Sequence, residues 1–178
     1  MKKIVPVALA AFLLVSCKKE VAELPPATQT GANTFGAKVN GVNWIPKGFA
    51  GIPSNDILEA RVLGSTDLYI NAMDISSSPT ETEFEISIKG ITGPGTYILN
   101  ANTSYPSSVA NYAYYVKRIL TPKEEYLTSS SQTGSVIITR FDLSNKIISG
   151  TFQFNMGDIF EPSRSISVTD GRFDIRIQ

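Results

Sequence analysis

The 178-residue chain contains no histidine and one cysteine, Cys17. Those two facts remove most side-chain chemistry at once. A Ser-His-Asp triad needs an imidazole, a Cys-His dyad needs both groups, and zinc or iron sites built on His and Cys need several such ligands. No Gly-rich loop followed by Lys-Ser/Thr occurs, so a P-loop is absent, and no Asp-x-Asp-x-Asp-Gly run offers a calcium loop. What remains is carboxylate chemistry of the glycosidase kind, which requires two acids on opposite sides of a sugar. Asp142, Asp158, Glu161 and Asp170 all fall at predicted turns, where acids are favoured for local hydrogen bonding alone. Glu83 and Glu85 alternate with Phe84, Ile86 and Ile88, which reads as the solvated side of an amphipathic strand. The residues therefore argue for a protein that is not an enzyme and takes no cofactor or metal, with carboxylate-only catalysis the one chemistry left open.

Aromatic residues offer recognition instead. Tyr105, Tyr112, Tyr114, Tyr115 and Tyr126 are five of the seven tyrosines, gathered around a long polar stretch from Asn100 to Asn111. Tyrosine presents a flat apolar body with a polar tip and few rotors to freeze, which suits contact with a glycan or a protein. Tyr112, Tyr114 and Val116 share one face of a strand, and Ala113 and Tyr115 the other, so one tyrosine set points outward whichever side is core. Tyr105, Tyr112, Tyr114 and Tyr115 are accordingly the candidate ligand-binding residues, beside the Asn100–Asn111 loop. The only tryptophan, Trp44, reads first as a core anchor and second as a stacking residue.

The elements that would carry these residues are short strands. Asn40-Gly41 predicts a two-residue type I′ hairpin turn, because both central positions need positive φ. Counting outward, Val39 faces Val42 and Ala37 faces Trp44, with the small Ala37 leaving room for the indole. Period-2 patterning continues through Ile57–Leu63, Leu68–Met73, Thr82–Lys89, Thr96–Leu99, Tyr112–Arg118, Tyr126–Ser129, Gly134–Phe141, Lys146–Asn155 and Ser165–Ile177, separated by Gly, Pro, Asn and Ser turns. In the last run, Phe173, Ile175 and Ile177 point inward and Arg172, Asp174 and Arg176 outward. No helical period is sustained. The expected fold is all-β: a single antiparallel meander over residues 34–178 that hides its edges by closing as a lipocalin-like barrel or a flattened β-sandwich.

Ahead of the domain, Lys2 and Lys3 precede the apolar run Ile4–Val15, which is too short for a bilayer span of roughly 20 residues and reads as a secretory leader over residues 1–16. The end of that run, Leu14-Val15-Ser16-Cys17, resembles the lipobox of bacterial lipoproteins. The resemblance implies that Cys17 is lipid-modified and becomes the first residue of the mature chain, anchored by several acyl chains together. Residues 17–33 hold two prolines and little apolar content, the composition of a flexible tether able to reach about 50 Å. Lys18 is not the aspartate associated with inner-membrane retention, so an outer-membrane location is expected, facing either the periplasm or the outside. Removing Lys2, Lys3, Lys18, Lys19, Glu20 and Glu23 from the 16 basic and 16 acidic residues leaves 12 and 14, a balance without the basic face that nucleic acid requires.

Four runs in order, Phe35-Gly-Ala-Lys-Val-Asn-Gly-Val-Asn-Trp44, Gly93-Pro-Gly-Thr-Tyr97, Ser149-Gly-Thr-Phe-Gln-Phe154 and Val168-Thr-Asp-Gly-Arg-Phe173, resemble a family of uncharacterised Bacteroidetes lipoproteins. These motifs are turns and core strands, so the resemblance implies a fold and a lipid-modified Cys17 and carries no catalytic residue. The expected function is a lipid-anchored, non-catalytic module that binds a glycan, a peptide or an envelope protein. The alternatives are a lipocalin-like carrier of a small apolar ligand and a structural envelope component. A carrier would need an internal cavity, whereas Phe84, Ile86, Ile88, Ile148, Phe152, Phe154 and Phe173 suggest a filled core.

Overall fold

A computed structural model describes residues 21–48, 57–64, 66–77, 79–119, 121 and 123–178; Cys17 and the leader lie outside the described residues. The chain forms β1 (Thr34–Val39), β2 (Val42–Trp44), β3 (Leu58–Leu63), β4 (Asp67–Asp74), β5 (Thr82–Ile88), β6 (Gly95–Leu99), β7 (Tyr112–Lys117), β8 (Glu124–Leu127), β9 (Gly134–Asp142), β10 (Ile147–Asp158) and β11 (Ser165–Arg176). All eleven belong to one antiparallel sheet curled into a half-barrel, with no helix among the described residues.

The hairpin follows the expected register, Val39 opposite Val42 and Ala37 opposite Trp44. Asn40 and Gly41 adopt φ of 48° and 83°, as the type I′ turn demands. Ala37 is fully buried and Trp44 nearly so, whereas Val42, on the same face, is 56% exposed because it stands at the rim of the sheet.

The strand order departs from a simple meander. It runs β2-β1-β11-β10-β8-β7-β5-β4-β3, while β6 pairs only with β9 and the two form a branch on β10. The reason is the length of β10. One of its edges pairs with β11 throughout, and the other is shared, Ile147–Phe154 going to β9 and Gly157–Asp158 to β8. First and last strands thus become neighbours, β1 lying along β11. Among the described residues the curl closes not by a continuous ladder but by two isolated bridges, Lys47 to Asp74 at one end and Ala60 to Ile177 at the other. The Gln178 amide also donates to the Ala60 carbonyl at 3.0 Å. Of the two closures expected, the half-barrel stands nearer the barrel, with two bridges in place of a final pair of strands.

Inside, Phe35, Trp44, Phe84, Phe152, Phe154, Phe173 and Tyr115 form a chain of ring contacts 4.6–6.5 Å apart. Gly171 admits this packing, since a Cβ there would meet the Phe152 ring at 2.3 Å.

Two expectations of solvated faces are overturned. Glu85 and Ser87, on the outward side of β5, are 3% exposed, and Asp174, on the outward side of β11, is 1% exposed. In each case the sheet is amphipathic as read, but an irregular segment covers its outer face. The Asn100–Asn111 stretch lies over β5 and β7, and residues 21–33 run along β1 and β11. That second segment is composed like a tether, yet from Val21 onward it is fastened to the domain. Asp174 accepts from the Thr28 hydroxyl at 2.6 Å, the Thr30 amide at 2.9 Å, the Gly31 amide at 2.8 Å and Ser149 Oγ at 2.8 Å. Gly36 lets the strap pass close, because a Cβ would meet Pro25 at 2.7 Å.

Candidate functional site

The predicted tyrosine surface divides between the two faces of β7. Tyr112 and Tyr114 point outward but are 2% and 4% exposed, because Tyr105 folds back upon them. Its ring stacks on Tyr114 with centroids 3.5 Å apart and meets Tyr112 edge-on at 6.0 Å. Tyr115 points inward and joins the core. The four residues therefore do not form an open recognition face; three of them make a closed cluster that pins the loop, and the fourth is elsewhere.

At the centre of that cluster is Glu85, which sequence reasoning placed in solvent. Its carboxylate accepts from Tyr69 at 2.7 Å, from Tyr105 at 2.9 Å and from Tyr112. Next to it, Glu83 accepts from Asn71 Nδ2 at 2.6 Å and from Arg118, and Tyr114 donates to Glu125 at 2.8 Å. Burial, and then the neighbouring carboxylates, push the phenols of Tyr69, Tyr105, Tyr112 and Tyr114 well above the ordinary tyrosine range. They are locked donors. The only sequence signal for this arrangement was the excess of tyrosine beside a strand carrying glutamates.

The other acids serve local structure. Asp142 holds Arg140 at 2.7 Å and the Asn145 amide at 2.9 Å. Asp158 accepts from the amides of Phe160 and Glu161 and pairs with Arg164 at 3.0 Å. Glu161 accepts from Ser163 Oγ at 2.8 Å, and Asp170 pairs with Lys38 at 2.8 Å.

A concave site lies instead at the end of the half-barrel that holds the β1–β2 turn. A cavity of about 450 Å³ opens there, lined among others by Val42, Trp44, Lys47, Asp74, Tyr115, Lys117, Glu124 and Tyr126. The register explains the convergence. Asp74 pairs with Thr82, Thr82 with Lys117, Lys117 with Glu124, and Asp158, beside Tyr126, leads through the next turn to Ser165. The Lys47–Asp74 bridge then returns the ring to the hairpin. Trp44 Nε1 donates to Thr82 Oγ1 at 2.8 Å, which sets the indole across the floor. Two ion pairs, Lys47–Asp74 and Lys117–Glu124, both at 3.3 Å, stand on the rim. Burial pushes the Tyr115 phenol up to about 12, so it stays neutral at any physiological pH. The site thus offers apolar ring surface and paired charges of both signs.

The family model of a domain of unknown function, DUF6252, matches residues 56–174. The chain belongs to this family. The DUF6252 match takes in β3 to β10 and β11 as far as Asp174, and with them Asp74, Tyr115, Lys117, Glu124 and Tyr126 of the cleft; the hairpin that brings Trp44 precedes it. No curated protein and no solved structure matches the chain.

Proposed function

We propose that this DUF6252 protein is a lipid-anchored, non-catalytic binding module of the bacterial cell envelope, an outer-membrane lipoprotein of the Bacteroidetes type, and that its ligand enters the mouth cleft. The observation that carries this reading is the cleft itself, a cavity of about 450 Å³ with Trp44, Tyr115 and Tyr126 among its lining residues and ion pairs at its rim. The volume lies within the range of small-molecule and short-segment sites, and aromatic walls with a few fixed polar groups are the usual composition of such sites. Of two depressions of similar volume on the outer face of β9 to β11, the larger is lined mainly by polar residues such as Asn100, Gln153 and Asn155 without a charge, and the smaller has Asp170 and Arg172 but a single aromatic ring, Phe152, where the mouth cleft has three. The aromatic packing of the interior speaks against a carrier with an internal ligand, so an apolar group would have to lodge at the mouth. A glycan or a peptide suits a surface of rings flanked by both charges.

Trp44 is a built-in reporter, being the only tryptophan. Glycan and peptide libraries screened against the full-length protein in detergent should yield a ligand that changes Trp44 emission. Lys47→Ala and Lys117→Ala should weaken its binding, and Tyr105→Ala, on the outer face, should not. Binding that survives both lysine variants and is lost in a folded Tyr105→Ala protein would return the site to the tyrosine cluster.

A further inference from the structure

The strap does not leave the domain at an arbitrary point. Asn43 Nδ2 donates to the carbonyls of Val21 at 3.0 Å and Ala22 at 3.2 Å, and Val21 itself lines the mouth cleft. From Val21 back to Cys17 there are at most about 14 Å of extended chain. A lipid on Cys17 is therefore confined to the mouth end, whereas β10, running away from that end for 12 residues, carries the opposite end about 40 Å off.

The same end carries exposed apolar side chains. Val42 at the hairpin is 56% exposed, and Ile159 and Phe160 in the turn after β10 are 45% and 52% exposed. The Lys123 ammonium sits over the Phe160 ring, 5.3 Å from its centre. The turn is held in place, with Ile159 donating to the Glu125 carbonyl at 2.8 Å and Arg164 donating to the Lys123 carbonyl at 3.2 Å. Around this end most cations are already paired: Lys38 with Asp170, Lys47 with Asp74, Lys117 with Glu124, Arg118 with Glu83 and Arg164 with Asp158. Such a rim offers little net attraction to anionic headgroups and little repulsion from neutral ones.

We infer that the mouth end is a membrane-docking surface, whose partner is the phospholipid surface that holds the anchor, with Val42, Ile159 and Phe160 entering the headgroup region and the cleft facing the bilayer. The inference rests on the lipoprotein reading above and adds to it the orientation and the source of the ligand: what fills the cleft must be part of that membrane or lie on it. Apolar side chains at an interface add to the acyl chains, while paired charges do not, so docking should depend little on salt or on anionic lipid.

The test uses the full-length protein expressed with its leader, purified in its lipidated form and reconstituted in phosphatidylcholine vesicles, with or without phosphatidylglycerol. Phe160→Trp and Leu143→Trp each add one indole to the constant Trp44; Leu143 is 48% exposed in the turn between β9 and β10, at the far end. Acyl-brominated phosphatidylcholine should remove most of the added emission of Phe160→Trp and none of that of Leu143→Trp, equally at low and high salt. Quenching of Leu143→Trp alone, or of both alike, overturns the orientation while leaving the anchor standing. A protein that carries no lipid and fails to float with vesicles overturns the lipoprotein reading and this inference with it. A mouth-to-mouth dimer in detergent that persists on vesicles with Phe160→Trp unquenched would assign the surface to a second copy instead. Val42→Ala, farther from the ring contact of Lys123, gives an independent check: at unchanged melting temperature it should weaken quenching of a second reporter, Ile159→Trp, and no change there counts against docking.

Discussion

Glu85 and Asp174 show how a carboxylate on the outward side of a strand can become a fastening point. Glu85 receives three phenols, so Glu85→Ala would leave the buried Tyr112 and the half-buried Tyr69 and Tyr105 without their acceptor and should cost about 1–3 kcal/mol, measured by urea unfolding. The phenols give a pH signature. Because burial and Glu85 raise Tyr69, Tyr105 and Tyr112 above their ordinary value of 10.0, the stability they contribute is complete below pH 10 and declines above it, as the unfolded chain loses protons that the native one keeps. Phenolate absorbance and near-UV circular dichroism should therefore change together on alkaline titration; ionisation near pH 10 with the dichroism intact would contradict the cluster. Asp174 acts in the opposite sense. Burial works to raise its carboxyl, but the hydrogen bonds from Thr28, the Thr30 amide, Ser149 and the Gly31 amide outweigh it and hold the group well below the ordinary carboxylate range. A lowered native value means stability present above about pH 4 and lost as pH falls below it. Asp174→Asn should be less stable at neutral pH by about 1–3 kcal/mol and show a flatter acid limb than the wild type.

Among the elements, the β1–β2 hairpin and the strap carry the sharpest expectations. Ala37 is fully buried opposite Trp44, so Ala37→Leu should overpack the pair, cost about 1–3 kcal/mol and shift Trp44 emission. An unchanged melting temperature would mean that the indole has room to move away. For the strap, limited proteolysis should spare residues 21–33 in the native protein and cut there in Asp174→Asn before the sheet is attacked. Equal cleavage in both would show that the strap is held by something other than Asp174.

For the molecule as a whole, the proposed lipid on Cys17 would make the strap the part that sets how the domain rides on its anchor. A free tether of this length would reach about 50 Å, whereas a strap fastened from Val21 leaves only about 14 Å, which under the proposed anchoring would hold the cleft at the membrane. Replacing Cys17 with Ala should abolish fatty-acid labelling and release the domain from the membrane fraction, or stall the precursor. Normal labelling of that variant would end the lipoprotein reading.

Local rules decided much of this protein. The Asn40-Gly41 hairpin and its register, the inward row Phe84, Ile86 and Ile88 and the all-β class follow from φ preferences and period-2 patterning, which act between residues close in sequence. Pattern alone could not say that the outward row of β5 would be covered, because what covers it arrives from Tyr105, 20 residues further on, and what covers Asp174 arrives from Thr28, 146 residues before it. Nor could it reveal that β10 divides one edge between two partners, or that Trp44, Tyr115 and Tyr126 meet at one mouth. Those are outcomes of curvature and long-range pairing, in which each strand's free edge is satisfied by whichever segment the closed sheet brings to it. An alternating sequence says which side chains share a face; only the tertiary structure decides whether that face meets water, another segment or a ligand.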